Sequence, residues 1–348
     1  MNYYVGRMLE HTVYRAMSGE TILAYLRNNR LKQRAVVLRY HELAEDTEEA
    51  EAWTIVKKSD FLRQMEYVSS HFTVLSLREA FDTIHGPQDN REIDKPIVVV
   101  TFDDGYERNR TLLLPLIQSL NIPATIFIAT KSVQEERLYW DARVINALQG
   151  SRPIRIDLED LSLGVYTIKS ANGPDKWMEI DTLISRLKDL DVIQRKIAVE
   201  RIMEQTGGGG HAGMKAFTPL SLPGLLQLAA CPLISLEAHS HCHNILTQIA
   251  NPEIRDSVRT SKQLLEAWTK KPVTFFAYPN GNYDQRVMNI VKELGFEGSV
   301  ITKARPWGRE EEPFAIPRVG IGRYDSFETF KLKVSSGGIR SLLTAGRN

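Results

Sequence analysis

Cysteine is nearly absent: Cys231 and Cys242 are the only two in 348 residues. So few thiols exclude a disulfide framework as the device that holds the fold. Long apolar runs are missing as well. Charge interrupts the first forty residues throughout, so neither a secretory signal nor a membrane-spanning helix is legible there. The expected location is the cytoplasm, with a peripheral place at the inner face of the membrane as the alternative, and reduced thiols suit that compartment. An excess of one charge is also lacking. The 44 Lys and Arg nearly balance the 43 Asp and Glu, leaving +1, and both signs are mixed along the chain. That offers no basic footprint for nucleic acid. What remains is ordinary globular composition, long enough for one large α/β domain with additions or for two domains.

Residues 1–34 read as an amphipathic helical extension, with Leu9, Val13 and Met17 on one face. Packing on the main domain is favoured over docking to a membrane or partner, because the polar face also carries Glu10 and Glu20. Residues 35–334 read as one domain in which apolar strands alternate with helices, the pattern of a parallel sheet covered by helices. Strands are expected near 34–41, 73–77, 97–102, 123–130, 232–238, 273–278, 298–302 and 316–321. The acidic stretch 42–51 is expected as a solvated surface loop, and Ser59-Asp60 as the cap of a helix. Residues 150–218 break the alternation and read as an α+β insertion, with two polar strands, a helix over 181–205 with an irregular centre, and a glycine run as a connector. The tail, 335–348, is expected to be weakly ordered.

Four apolar strands end in polar clusters: Tyr40-His41, Asp103-Asp104-Gly105, His239 through His243, and Tyr278-Pro279-Asn280-Gly281. Sites in parallel α/β folds form at the carboxyl ends of strands, so these clusters are expected to converge. Asp-Gly after a strand is also an ordinary turn. Two adjacent carboxylates closing a buried strand, however, call for a cation. His239 and His243 are four positions apart, and two imidazoles with one carboxylate leave coordination positions open for water and substrate. A structural zinc site built from Cys231, Cys242 and the histidines is the weaker reading, since the cysteines lack Cys-x-x-Cys spacing. The chemistry that fits is hydrolysis of an amide: a cation polarises the carbonyl, a carboxylate takes the proton of water, and a second acid serves the departing nitrogen. His41, at its own strand end, is the candidate for that acid.

Thr101-Phe-Asp-Asp-Gly105, His239-Ser-x-x-His243 and Phe276-Ala-Tyr-Pro-Asn-Gly281 together resemble the signature motifs of the polysaccharide deacetylases, the NodB-homology or carbohydrate esterase 4 family. The resemblance implies a distorted (β/α)7 barrel with one catalytic divalent metal, zinc first, with cobalt, nickel or manganese as alternatives. It implies Asp103 as general base, Asp104, His239 and His243 as metal ligands, and the backbone amide of Tyr106 at the oxyanion. The usual late histidine is missing. Leu38-Arg-Tyr-His41 resembles instead the circularly permuted poly-N-acetylglucosamine deacetylases, in which that histidine lies near the N-terminus, and so His41 takes the acid's role. Arg318 resembles the arginine of this subgroup, with a pairing to Asp103 and an ordinary salt bridge as two open readings. Tyr278 and Pro279 are expected in the site wall. Trp140 is a sugar-stacking edge or a core anchor. The expected partner is an N-acetylated amino sugar or glycan, the reaction its de-N-acetylation with release of acetate. A deformylase or amidohydrolase on a small or lipid-linked amide is the alternative, and an inactive sugar-binding module the alternative of another class. The insertion is expected to act as a lid or specificity wall.

Overall fold

In Ile97–Phe102, IVVVTF, every residue is buried. Such a run suits a strand covered on both faces, and β-branched side chains pack well on a pleated surface. The computed structural model describes residue 14 and residues 16–87, 95–149, 153–169, 173–207 and 216–338. In chain order the strands are β1 (Ala35–Tyr40), β2 (Glu42–Ala44), β3 (Ile55–Lys57), β4 (Thr73–Val74), β5 (Ile97–Phe102), β6 (Ala124–Ile128), β7 (Ile154–Leu158), β8 (Gly164–Ile168), β9 (Ile234–Ala238), β10 (Phe275–Ala277), β11 (Gly298–Val300) and β12 (Val319–Gly320).

The main sheet runs β11-β10-β9-β6-β5-β1-β12, with β4 also on β5. All its pairings are parallel, among them Ala35↔Ile97 through Tyr40↔Phe102 between β1 and β5. The sheet curls towards closure through one short segment. Ile316 bridges Val300 at one edge, and Val319 three residues later pairs with Leu38 at the other. Seven parallel strands thus form a distorted (β/α)7 barrel with helices outside, the expected α/β class. One large apolar cluster, including Val98, Val100, Ile126 and Phe276, packs the sheet against its helices, and a smaller one with Val37, Val99, Phe127 and Trp307 lies on the other face of the strands.

Residues 153–207 supply a separate antiparallel pair, β7–β8, and two helices, Pro174–Lys188 and Val192–Thr206. Their apolar side chains form a second cluster with Ala142 and Ile145 of the Trp140–Ala147 helix and with Tyr106. The sequence suggested one irregular helix here. Asp191 divides it by capping the second helix, its side chain accepting from Ile193 and Gln194 amides. Gly207 ends that helix at φ +75°, and the rest of the glycine run lies outside the described residues. Of the N-terminal extension, the Glu20–Arg30 helix packs Leu23 and Leu26 into the main core, while Leu9 and Val13 lie outside the described residues.

Three local expectations are corrected. Residues 42–51 are a solvated loop only in the middle, where Asp46, Thr47 and Glu49 are exposed; Glu42, Leu43, Ala44, Ala50 and Glu51 are buried, and the two buried carboxyls lie beside arginines. Arg108 pairs with Glu42 and Glu48, and Arg323 with Glu51. The next helix starts at Lys58, and Asp46 rather than Ser59 supplies a cap-like acceptor, taking the Ser59 amide at 3.1 Å. Ser335 and Ser336 belong to the buried end of the Phe327–Ser336 helix, not to a loose tail.

Glu42 ties two parts of the chain together. Its Oε2 accepts the Phe217 amide at 2.9 Å, fixing the chain as it returns to the barrel. Burial raises its carboxyl to about 8 despite Arg108 and that amide, which pull the other way. The folded protein therefore holds this proton more tightly than the unfolded chain does. Stability falls as pH rises from about 4.5 through about 8. Denaturant titrations across that window should give a flatter profile for Glu42→Gln than for the parent. Parallel profiles would show that Glu42 ionises freely in the fold.

Candidate active site

The polypeptide turns sharply where β5 ends. The Asp103 amide still pairs with the Tyr40 carbonyl at 3.0 Å, but Asp104 and Gly105 adopt φ of +74° and +78°. Left-handed backbone at a non-glycine residue costs free energy and persists only where the surroundings over-determine it. A Cβ on Gly105 would sit 2.7 Å from Ile128 Cδ1. The turn sends the two adjacent carboxylates to different partners.

Asp103 meets Arg318. The guanidinium donates to Oδ1 at 2.6 Å and to Oδ2 at 2.7 Å, with Thr101 Oγ1 and the Ile301 carbonyl as further acceptors. Both residues are buried. Burial pushes the Asp103 carboxyl up, but Arg318 and then His239 outweigh it and hold it down to about 2. Arg318 is thus paired with Asp103, and the contact is an ion pair.

Asp104 meets two imidazoles. Its Oδ1 lies 3.4 Å from His239 Nε2 and 3.1 Å from His243 Nε2. His239 Nδ1 is 2.7 Å from the Ala277 carbonyl, an acceptor only, so that nitrogen carries the proton. The Nε2 of neutral His239 then presents a lone pair to a carboxylate oxygen. Two electron-rich atoms at that distance repel unless a cation or an extra proton sits between them. A divalent cation fits: the three ligand atoms lie within 4.8 Å of one another, and the group mixes imidazole nitrogen with carboxylate oxygen. Ser240 and His243 also have left-handed φ, +62° and +53°, and Ser240 Oγ accepts the His243 amide at 3.1 Å. Left-handed backbone thus gathers around these candidate ligands, as at Asp104.

His41 follows β1 and lines the same cavity, of about 490 Å³, with Asp103, Asp104, His239 and His243. Its ring stands edge-on to Trp53, centroids 6.2 Å apart, and its Nδ1 finds no hydrogen-bond partner among the described residues. Burial drives its pKa to about 4 although Asp104 opposes this, so His41 is neutral at pH 7.

The remaining candidates separate. Tyr278 lines the cavity, its hydroxyl donating to the Phe314 carbonyl at 3.1 Å, whereas buried Pro279 is not in the wall and leaves that place to Asn280 and Gly281. Trp140 lines the cavity with the Arg195 guanidinium 5.2 Å from its ring centre. The Tyr106 amide donates to Asn109 Oδ1 at 3.0 Å, so in this geometry it is not offered to an oxyanion. His241 turns away to Thr130 Oγ1 at 2.9 Å, and neither cysteine joins the group. Sequence reasoning missed Arg39, Trp53 and the wall residues Trp177, Asp181 and Lys188. Arg39 was visible as a cation inside an apolar strand, and the wall residues as a helical stripe.

The family model described as polysaccharide deacetylase matches residues 90–156 and 221–299. Together the two matched segments make up less than half of the 348 residues. The matched segments contain Asp103, Asp104, His239 and His243, and exclude His41 and Arg318. Among curated proteins, YxkH of Bacillus subtilis (strain 168), a polysaccharide deacetylase in name, is 23% identical over 103 residues, or 30% of this chain and 37% of that protein. The match thus spans little more than a third of that relative's length. The solved deacetylase PplD of Streptococcus pyogenes, in complex with acetate, superposes with a TM-score of 0.54 at 17% identity, covering 86% of this chain and 98% of its own. IcaB of Ammonifex degensii gives 0.56 at 13% identity, covering 88% and 98%. These likenesses establish that the chain shares their barrel fold.

Removing Arg318 leaves a buried anion without its partner. Arg318→Met should cost about 3–5 kcal/mol of unfolding free energy. Adding Asp103→Asn should recover much of it, because the stranded charge is gone. A double variant as unstable as the single one would mean that Arg318 stabilises the fold by packing, not by pairing.

Proposed function

We propose that this protein is a metal-dependent hydrolase that removes the N-acetyl group from an N-acetylated amino sugar. The observation that carries the reading is the division of labour at the end of β5: one carboxylate locked to a buried arginine, its neighbour aimed at two histidines. A binding module has no need of an ionised carboxylate beside a cation-binding one. Acetate, the product this reading calls for, is the ligand in the solved complex of the S. pyogenes deacetylase.

Asp104, His239 and His243 would hold the cation, with the Ala277 carbonyl fixing the His239 tautomer. A divalent ion there, zinc first, supplies a Lewis acid that polarises an amide carbonyl and lowers the pKa of water. Asp103 is the base. Arg318 keeps it ionised and oriented, and a carboxylate held at about 2 accepts a proton only from an acidified water. Attack forms the new carbon–oxygen bond, and that proton leaves with Asp103. The carbon–nitrogen bond then breaks as the nitrogen gains a proton, since an amide anion is a very poor leaving group. His41 serves that nitrogen. Neutral at rest, it takes up the proton that Asp103 received from the attacking water and passes it to the nitrogen as the carbon–nitrogen bond breaks, which returns both residues to their starting states.

Zinc-loaded protein mixed with N-acetyl and N-formyl sugars, free, oligomeric, nucleotide-linked and lipid-linked, should release acetate detectable by NMR. Asp103→Asn and His41→Ala should each lower kcat by about 10²–10⁴-fold with zinc content unchanged. His239→Ala should lose the zinc itself, read by elemental analysis after dialysis. Full activity in Asp103→Asn would remove the base assignment, and formate without acetate would move the reading to a deformylase.

A further inference from the structure

A second arginine borders the site, and unlike Arg318 it has no partner. Arg39 lies on β1, two residues before His41. Successive strand residues alternate in direction: Leu38 and Tyr40 join the main core cluster, whereas Arg39 and His41 line the cavity. Among the described residues Arg39 makes no ion pair and no hydrogen bond, and its Nε is buried without a partner. Burial lowers the guanidinium from its ordinary 12.5 to about 10, and Arg318 adds to this, so Arg39 is still a cation at pH 7. The carboxylates that attract it are Asp103 and Asp104. The first gives both oxygens to Arg318, and the second faces two imidazoles. Asp141 and Asp181 also line the cavity, on the helices Trp140–Ala147 and Pro174–Lys188, and neither pairs with Arg39.

The fold is shaped to hold this cation. Arg39 is in register with Gly320 of β12. A Cβ there would stand 3.0 Å from Arg39 Nη2 and 2.8 Å from Trp53 Cη2, and a Cβ on Gly322 would stand 2.2 Å from Trp53 Nε1. The two glycines thus leave a slot that the indole fills, and the Arg323 amide, donating to the Trp53 carbonyl at 3.0 Å, fixes it there. The guanidinium lies over that indole, 5.5 Å from the ring centre. Stacking uses the flat face of a guanidinium and leaves its in-plane donors for an anion. Next to Trp53, Thr54 also lines the cavity, and its Oγ1 is buried without a hydrogen-bond partner among the described residues. Donors held in this way are costly unless a ligand meets them.

The place of Arg39 decides what can meet it. The candidate histidine ligands follow β9, whereas Arg39 and Trp53 lie against β12, on the opposite side of β1 from β5, β6 and β9. An amide carbonyl drawn to the cation therefore leaves Arg39 for a second group of the same molecule. A planar guanidinium matches the paired oxygens of a carboxylate or a phosphate.

We propose that Arg39, backed by Trp53 and flanked by Thr54, binds an anionic substituent of the substrate, a carboxylate or a phosphate, so that the protein prefers a charged N-acetylated amino sugar to a neutral one. This rests on the sugar reading above, and the test reads binding so that the two can fail separately. Calorimetric titrations would use the zinc-loaded full chain carrying His41→Ala, which slows turnover and removes no charge. The ligands would be N-acetylglucosamine, its phosphate esters, the corresponding N-acetylated aminouronate, free acetate and inorganic phosphate. At least one charged sugar should bind about tenfold or more tightly than the neutral one, and which one does so names the group. Adding Arg39→Met should remove most of that gain, and Thr54→Val part of it. Arg39→Lys keeps the charge without the planar fork and serves where Arg39→Met does not fold; it should reduce the gain about threefold or more. Equal affinities, a gain undiminished in the Arg39 variants, or free acetate or phosphate bound as tightly as the charged sugar would overturn the proposal. Arg39-dependent selectivity without acetate release from the parent protein would leave the anion site standing and remove the deacetylase reading.

Discussion

Two carboxylates on consecutive residues cannot both be buried and ionised without separate cationic partners. Asp103 and Asp104 meet that constraint in opposite ways. A fixed guanidinium, itself without exposure, neutralises Asp103. Two imidazoles whose Nε2 atoms converge on Asp104 Oδ1 form with it a group that could hold a cation. The left-handed backbone at Asp104 and Gly105 is what separates the two environments, because it rotates one carboxylate away from the other. The barrel serves this arrangement. Arg318 lies in the segment that bridges the two edges of the sheet, so the segment that closes the barrel also carries the partner of Asp103.

The two halves of the site depend on each other chemically. A carboxylate tied to a buried arginine is a poor base, and it is useful only against water made acidic nearby. A cation without an aligned base would polarise an amide but leave the proton of water with nowhere to go. The depressed pKa of His41 follows the same logic, since burial that keeps the imidazole neutral also keeps a third charge out of a crowded site.

Much of this was legible in the chain. The strands of the barrel stood out as apolar runs, and their polar terminations marked Asp103, Asp104, His239, His243 and His41. Period and strand-end position are local signals, and the topology of parallel sheets makes such ends converge. Three things escaped local reasoning. The 42–51 stretch looked solvated throughout because it is acidic, whereas its two ends are buried, with Glu42 beside Arg108 and Glu51 beside Arg323, arginines distant in sequence. The Tyr106 amide was expected to face an oxyanion, but Asn109 takes it up through a turn that composition does not announce. The partner of Arg318 could not be chosen from sequence, because the choice depends on which strand closes the barrel.

The central claim is that Asp104, His239 and His243, rather than the cysteines, hold one divalent ion. X-ray absorption at the zinc edge of the loaded protein tests it most directly. The account predicts a first shell of nitrogen and oxygen near 2.0–2.1 Å, with imidazole scattering from two histidines and no sulfur. A sulfur shell near 2.3 Å, or a spectrum unchanged in His239→Ala, would contradict it.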